Sequence, residues 1–231
     1  MFNILRYRLR AYLGQFPKLF FLFYSLKRRN RFLFVKKANI VCIEGYPRSA
    51  NTFIIAAIEQ GYKDEVSISH HLHVPAQVIR ALKLGVPSIV LIRQPKDAIV
   101  SHIIRNPNLR IEDAIFGYEC FYRPLIAHKK HFLIIDFDSI ISEPNKIIDL
   151  VFDFIKIDKT SEFDESKVFN RIKYYDSIDT RKNNSNSFET VSIPTALKKE
   201  RKLKILSELD TIYLTKFKEL EMLYNQVRFD D

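Results

Sequence analysis

The sequence predicts a single-domain, three-layer α/β/α fold with a central parallel sheet. Short apolar runs rich in β-branched residues, typical of buried parallel strands, alternate along the chain with segments of helical periodicity. The chain has 231 residues, of which 47% are hydrophobic, enough for one domain with a substantial core. Strands are expected near residues 39–43, 66–70, 88–92 and 132–136, with helices on both faces of the sheet.

The segment before the first predicted strand, residues 1–37, differs in composition from the predicted domain, residues 38–231. Residues 1–40 contain ten Lys or Arg and no Asp or Glu, and the rest of the chain carries 27 residues of each sign. The formal charge of +10 therefore comes entirely from this arm. A basic, aromatic arm of this kind is expected to form a helix that attaches to an anionic membrane surface. The alternative is that its apolar side chains pack on the domain. Nucleic acid is disfavoured as a partner because the aromatic residues are clustered.

The first predicted strand runs into the motif GYPRSANTF at residues 45–53, which leads into a helix expected over residues 51–60. The amide groups of such a turn have no helical partners and the helix dipole adds positive charge, so we predict a phosphate-binding loop. Side-chain donors are added by Arg48, Ser49, Asn51 and Thr52. The motif is not a Walker A sequence, because Ala50 and Asn51 stand where Gly and Lys are required, and this disfavours an ATP or GTP hydrolase. An ordinary loop with a surface arginine is the alternative.

A second motif, RQPKDAIVS at residues 93–101, follows the predicted strand 88–92. Arg93 stands at the carboxyl end of that strand, where ligands bind in open α/β sheets, and the proline two residues later suits the first turn of a helix. Ser101 lies one to two turns into this helix, so Arg93 and Ser101 can converge on a second phosphate, with the arginine making a forked contact. The alternative is an arginine paired with Asp97 and a serine that faces the solvent.

Three of the six histidines fall within residues 70–73. His71 and His73 are expected to share one face of an extended segment, with His70 on the opposite face. Histidine suits the role of a general base because its pKa lies near neutrality. A metal site is not predicted, because no Cys or carboxylate pair lies nearby in the sequence. A solvent-exposed histidine-rich loop is the other alternative.

The two motifs together resemble the signatures of sulfotransferases that use 3′-phosphoadenosine 5′-phosphosulfate (PAPS), a family with a P-loop-NTPase-like α/β fold. The family's first signature is roughly YPKSGTTW, where residues 46–53 read YPRSANTF, and its second is roughly RNPKDxxxS, where residues 93–101 read RQPKDAIVS. The resemblance implies that the 5′-phosphosulfate is held by Pro47, Arg48, Ser49, Ala50, Asn51, Thr52 and Phe53. It implies that the 3′-phosphate is held by Arg93 and Ser101. The chain departs from the family by having Arg for the loop lysine, Ala for Gly, Asn for Thr and Phe for Trp.

The resemblance also implies catalytic roles. In the family, a strand ending in Lys-Thr-His-Leu-Pro supplies the histidine that takes the acceptor proton, and alignment on His-x-Pro gives His73 that role, with His71 as the substitute. Arg48 is expected to stabilise charge on the leaving phosphate. A late Arg-Lys-Gly segment of the family is similar to Arg181 and Lys182, which lie in a stretch otherwise predicted to be a loop, and implies a further contact with the 3′-phosphate. No metal is implied.

The activity implied by the resemblance is transfer of a sulfuryl group from PAPS to a hydroxyl of a small-molecule, glycan or lipid acceptor, with 3′-phosphoadenosine 5′-phosphate (PAP) as the product. Two cysteines are too few for a disulfide framework, which fits the cytoplasm, with peripheral attachment to a membrane through residues 1–37. Two other functions remain open. One is a nucleotide-dependent small-molecule kinase, and the other is a noncatalytic, membrane-associated nucleotide-binding protein.

Two helices are expected in the C-terminal half of the chain. Pro144 suits the first turn of one of them. From about Thr195 to Gln226, apolar residues recur at helical spacing, which predicts one long amphipathic helix packed on the core.

Overall fold

The computed structural model describes residues 4–26, 33–62, 66–183, 202–203, 205–206, 209 and 212–229. Two helices come first in the chain: α1 (Ile4–Leu13) and α2 (Pro17–Ser25). The strands are β1 (Val41–Gly45), β2 (Ile68–His70), β3 (Ser88–Ile92) and β4 (Leu133–Asp136). The other helices are α3 (Asn51–Gly61), α4 (Pro75–Leu84), α5 (Pro95–Arg105), α6 (Ile111–Tyr122), α7 (Phe137–Ser142), α8 (Pro144–Ile155), α9 (Glu165–Asn183) and α10 (Leu214–Arg228). A 3₁₀ helix (Arg123–His131) joins α6 to β4.

The four strands form one parallel sheet in the order β2-β1-β3-β4. Both central strands, β1 and β3, are buried along their whole length, because helices cover both faces of the sheet. The chain leaves β1 towards β2 on one side and later continues from β3 towards β4 on the other. The strand order therefore reverses between β1 and β3, where open α/β sheets bind their ligands.

The core has a separate cluster on each face of the sheet. Along β3, Ile89 and Leu91 point into a cluster with α3, α8 and α9, whereas Val90 and Ile92 point into a cluster with α5, α6 and α10. This alternation follows from the two-residue period of a strand. The predicted three-layer α/β fold with a central parallel sheet is confirmed.

The N-terminal helices lie against the domain with one face. Phe20 is completely buried in a cluster with Phe34 and Leu72, and the Gly14 carbonyl oxygen accepts a hydrogen bond of 2.8 Å from the Ala76 amide. Gly14 permits this approach, because a Cβ on it would lie 2.7 Å from a Val74 methyl carbon. Within the described ranges, no helix is both long enough and apolar enough to cross a bilayer.

Two of the predicted elements differ from the structure. The predicted helix from about residue 195 to 226 is interrupted at Tyr213, whose ψ of 16° departs from helical geometry, and α10 begins only at the next residue. Residues 195–201 lie outside the described residues. The stretch containing Arg181 and Lys182 was expected to be a loop, but α9 continues to Asn183. The described part of α9 packs against α3 through apolar side chains. The polar residues at the end of α9 give no sign of this packing, so the sequence there suggests a loop.

Candidate active site

A cavity of about 1220 Å³ opens at the carboxyl ends of β1 and β3. Its floor is formed by residues that directly follow these strands, Tyr46 to Arg48 after β1 and Arg93 after β3. Its walls come from α1, α3, α5, α9 and the segment that follows β2. The cavity therefore lies at the reversal of strand order that the fold provides for a ligand.

The loop between β1 and α3 is tightly folded. Arg48 has φ of 76° and Ala50 has φ of 66°, both in the left-handed region that non-glycine residues rarely adopt. Ala50 is also the N-cap of α3 and makes no side-chain capping bond. The amino-terminal end of α3, where the helix dipole is positive, therefore borders the cavity. Gly45 allows the end of β1 to approach β3 closely, since a Cβ there would lie 2.7 Å from the Leu91 carbonyl oxygen.

The two predicted anion-binding corners are in direct contact. Arg93 Nη1 donates a hydrogen bond of 2.8 Å to the Arg48 carbonyl oxygen, and Arg48 Nε donates one of 3.1 Å to Ser101 Oγ. The Arg93 guanidinium lies over the Phe137 ring, 3.8 Å from its centroid. Ser101 is half-buried and lines the cavity. It contacts the arginine of the first loop, so one hydrogen-bonded chain joins both corners.

The arginines give this part of the cavity a positive character. Burial lowers the pKa of Arg48 to about 10, and the nearby charges of Arg105 and Arg93 act in the same direction. Burial also lowers the pKa of Arg93, which Asp97 and Asp138 partly oppose. Both guanidinium groups remain charged at neutral pH. Crowded, partly desolvated cations of this kind favour an anionic ligand.

The segment after β2 is shaped by a buried carboxylate on β1. Glu44 is completely buried, and it accepts hydrogen bonds from the amides of Leu72 (2.9 Å) and His73 (2.7 Å). Burial raises the pKa of Glu44 to about 8, against the two amide bonds, which lower it. The carboxylate thus fixes the histidines with respect to the first loop. Neither motif includes Glu44, although an acidic residue at the end of an apolar strand is itself a signal of a functional site.

The predicted alternation of the histidines is wrong. β2 ends at His70, and His71 and His73 have φ of 61° and 48°, so neither is extended. The bonds to Glu44 turn the chain at this point. His70 does not lie on an opposite face: its ring is 4.6 Å from the His71 ring, their Nδ1 atoms are in hydrogen-bonding contact, and all three histidines line the cavity.

His73 has a defined tautomer. Its Nδ1 lies 2.7 Å from the Gly45 carbonyl oxygen, which can only accept, so Nδ1 carries the proton and Nε2 keeps a lone pair. Burial lowers the pKa of His73 to about 4, although the bond to Gly45 raises it. The imidazole is therefore neutral at physiological pH and able to accept a proton. Burial also holds the pKa of His71 well below its usual value, and its Nε2 lies 3.4 Å from Thr52 Oγ1.

Residues that sequence analysis did not single out complete the cavity. Tyr46 Oη donates to the Ala114 carbonyl oxygen (3.0 Å), so it accepts at 2.8 Å from Nδ1 of the buried His102. Tyr7 and Arg10 reach the cavity from α1, where nothing in the sequence indicates such a role. The space for Tyr7 is provided by Gly117, where a Cβ would lie 2.1 Å from the tyrosine hydroxyl.

Another part of the cavity wall is formed by α9. Phe53 packs against Phe163 and Phe169, with ring centroids 6.1 and 6.2 Å apart. Further along, Asp176 lines the cavity, and Glu59 lines it while paired with Arg171 at 2.7 Å. This wall is less basic and more apolar than the arginine corners.

Most of the predicted site residues line this one cavity: Pro47, Arg48, Ala50, Asn51, Thr52, Phe53, His71, His73, Arg93 and Ser101. Ser49 is completely buried and is not part of the lining. Arg181 and Lys182 belong to α9, and their side chains lie outside the described part of the structure. Among the residues that the structure describes, no group of three or more His, Cys, Asp or Glu side chains is arranged to hold a metal ion.

Comparison with known proteins gives little. No known protein family matches the chain, and no curated protein matches it. Among solved structures, the chain is similar to the crystal structure of mouse sulfotransferase SULT7A1 complexed with PAP. The two are 15% identical, the match covers 85% of this chain and 92% of that chain, and the TM-score is 0.45. This similarity is too distant to assign a function.

Proposed function

We propose that this protein is a sulfotransferase that moves a sulfuryl group from PAPS to a hydroxyl of an acceptor. The observation that supports the proposal most strongly is the contact between the two arginine corners. Arg93 donates to the Arg48 carbonyl oxygen and Arg48 donates to Ser101, so two anion-binding groups face one cavity. A ligand with two separate phosphates, one on each side of a nucleoside, suits this arrangement.

The residues present fit such a ligand. The loop from Pro47 to Phe53, with the amide groups at the start of α3, would hold the 5′ end, and Arg93 with Ser101 would hold the 3′-phosphate. Arg48 stands between them and can contact the 5′ end while keeping its bond to Ser101. Lysine is absent from the loop at the position that a Walker A motif requires, which argues against ATP as the ligand.

His73 is the proposed general base. His73 lines the cavity and its Nδ1 proton is held by Gly45, which leaves Nε2 to take the proton of an acceptor hydroxyl. PAPS, when bound, supplies the sulfuryl group, whose transfer forms an acceptor O–S bond and breaks the S–O bond to the 5′-phosphate. Arg48 neutralises the negative charge that grows on that phosphate oxygen. Positioning and electrostatics would provide most of the rate enhancement.

The low pKa of His73 fits this role once an anion is present. Its pKa of about 4 reflects burial and the nearby cations Arg10 and Arg105. A bound phosphate adds negative charge, which stabilises the imidazolium and raises the pKa towards neutrality, where a general base works best. The acceptor, a hydroxyl-bearing small molecule, glycan or lipid, would occupy the wall formed by α9.

A ligand and turnover experiment tests the proposal. PAP is expected to raise the melting temperature, whereas ATP with Mg²⁺ is not. PAPS should then transfer sulfuryl to at least one member of a panel of phenols, sugars and glycolipids. His73→Asn keeps a donor for Gly45 and tolerates a positive φ, so it should retain PAP binding and lower turnover about 10²- to 10⁴-fold.

Two results would count against the sulfotransferase, and a third would count against His73 as its base. Stabilisation by ATP with Mg²⁺ and indifference to the 3′-phosphate would favour a small-molecule kinase. PAP binding with no turnover by either the wild type or His73→Asn would favour a noncatalytic nucleotide-binding protein. Equal turnover by both proteins would remove His73 from the mechanism.

A further inference from the structure

The N-terminal helices carry an apolar face that no described part of the chain covers. Half of the sixteen exposed large hydrophobic residues in the described structure fall within the first 26 residues. They recur at helical spacing on α1 and α2 and are between 43% and 76% exposed: Leu5, Leu9, Tyr12, Phe16, Leu19, Leu22, Phe23 and Leu26. We call these eight residues the outer face. Scattered apolar residues are ordinary on a protein surface, but a concentrated set of this kind marks an interaction site.

The outer face is not an unpacked part of the core. The other side of the same helices is already satisfied, since Phe20 is completely buried and Leu13 packs against the same cluster. Gly14 and Ala76 fix the turn between the helices to the domain by a backbone hydrogen bond. The two helices are thus held in place by one side, and the outer face cannot turn inwards without breaking these contacts.

The charges around the outer face are mainly positive. Arg6, Arg8 and Lys18 are exposed on the same two helices, and Lys36 and Lys37 are exposed on the segment after them. Arg8 also forms an ion pair of 3.4 Å with Asp113, which leaves its side chain 45% exposed. No acidic residue occurs among the first 40. Exposed apolar side chains interspersed with cations complement lipid tails beneath anionic headgroups.

We propose that α1 and α2 dock this protein on an anionic membrane surface. The helices would lie in the plane of the interface, with the outer face inserted at the boundary between headgroups and acyl chains. The cations would contact lipid phosphates. Insertion across the bilayer is not required, because the apolar face is one-sided and the helices have ten and nine residues.

Docking in this way would bring the membrane close to the cavity. Tyr7 and Arg10, on the inner side of α1, line the cavity, and the Arg10 guanidinium donates to the Leu72 carbonyl oxygen beside the histidines. The outer face is on the other side of the same helix, whose diameter is about 10–12 Å. The acceptor would then be a hydroxyl-bearing amphiphile held at the surface. This last step rests on the proposed sulfotransferase function, whereas docking itself does not.

Vesicle sedimentation tests the docking. The wild-type chain is compared with L5Q/L22Q/L26Q, which removes three side chains of the outer face that are 76%, 61% and 75% exposed. The matched control is L150Q/L214Q/M222Q, which removes three exposed apolar side chains from α8 and α10. Vesicles contain phosphatidylcholine alone or phosphatidylcholine with phosphatidylserine. PAP binding without lipid is measured for every variant, so that a loss of fold or of the nucleotide site is seen separately.

The wild type and the control are expected to pellet with anionic vesicles, and less so at high salt. The partition coefficient of the outer-face variant is expected to be about a hundredfold lower, because it lacks three leucines whose transfer from water into the membrane favours binding. Equal pelleting with both vesicle types, or unchanged pelleting of the outer-face variant, would overturn the proposal. So would a lipid-free dimer of the wild type, seen by sedimentation velocity, that the outer-face variant converts to a monomer.

Discussion

Replacing Arg93 by alanine tests the proposed 3′-phosphate site independently of the proposed 5′-phosphate site. The side chain follows β3 directly, stacks on Phe137 at 3.8 Å and donates from Nη1 to the Arg48 carbonyl oxygen. A guanidinium has five N–H donors, so others remain for a phosphate in the cavity. Because the aromatic ring and the carbonyl oxygen fix the group in place, little side-chain entropy is lost on binding.

The magnitude follows from the type of contact that is lost. A hydrogen bond to a charged group contributes about 1.5–3 kcal/mol, so Arg93→Ala should weaken PAP binding about 10- to 150-fold. Adenosine 5′-phosphate lacks the 3′ group. It loses only the indirect support that Arg93 gives to the Arg48 carbonyl, an effect that both nucleotides share, so its binding should weaken much less than that of PAP.

Isothermal titration of both nucleotides provides the measurement. Arg123→Ala is a suitable control, because Arg123 is exposed and pairs only at the surface with Glu119, at 3.0 Å. This variant should bind both nucleotides as the wild type does. Equal losses for PAP and adenosine 5′-phosphate in Arg93→Ala would refute the reasoning, because they would show that Arg93 does not recognise the 3′-phosphate.

Three other predictions concern the loop and the buried histidines. Ala50→Gly should raise the free energy of unfolding in urea by about 0.5–1 kcal/mol by relieving φ of 66°, whereas Ala56→Gly, inside α3, should lower it by at least about 1 kcal/mol. PAP should raise the pKa of His73, followed by NMR, above its value of about 4, and an unchanged pKa would place the anion elsewhere. Stability should fall as the pH drops from 6.5 to 5, because burial depresses the pKa values of His71, His73 and His102 and the unfolded chain takes up their protons first. His70, whose pKa burial also lowers, acts in the same direction, and Glu44, with its raised pKa, opposes them in part, because the folded chain keeps its proton longer than the unfolded chain does. A flat profile would contradict the buried neutral histidines.

The parts of the fold that the sequence predicts well are those encoded locally. β3 matches its predicted bounds and α5 begins at the predicted proline, because an apolar run, then Arg93, then Pro95 specify a strand, a turn and a helix start within a few residues. The same holds for the start of α3 at Asn51, which matches the predicted start of the helix. That the turn before it binds an anion stays a prediction.

The parts that the sequence does not predict depend on contacts between distant residues. The conformation of the histidine segment is set by Glu44, 28 to 29 residues earlier, so the local pattern suggests an extended strand where the chain actually turns. The entry of Tyr7 into the cavity requires the space at Gly117, on a helix far along the chain. The bond between Arg48 and Ser101, 53 residues apart, likewise appears only when β1 and β3 are adjacent.

The structure of the protein crystallised with PAP tests the central claim most directly. The account predicts the 5′-phosphate within hydrogen-bonding distance of Arg48 and the first amides of α3, and the 3′-phosphate within hydrogen-bonding distance of Arg93 and Ser101. A nucleotide that contacts only one of these corners, or that binds outside the cavity, would contradict the claim that both arginines recognise a single doubly phosphorylated adenosine.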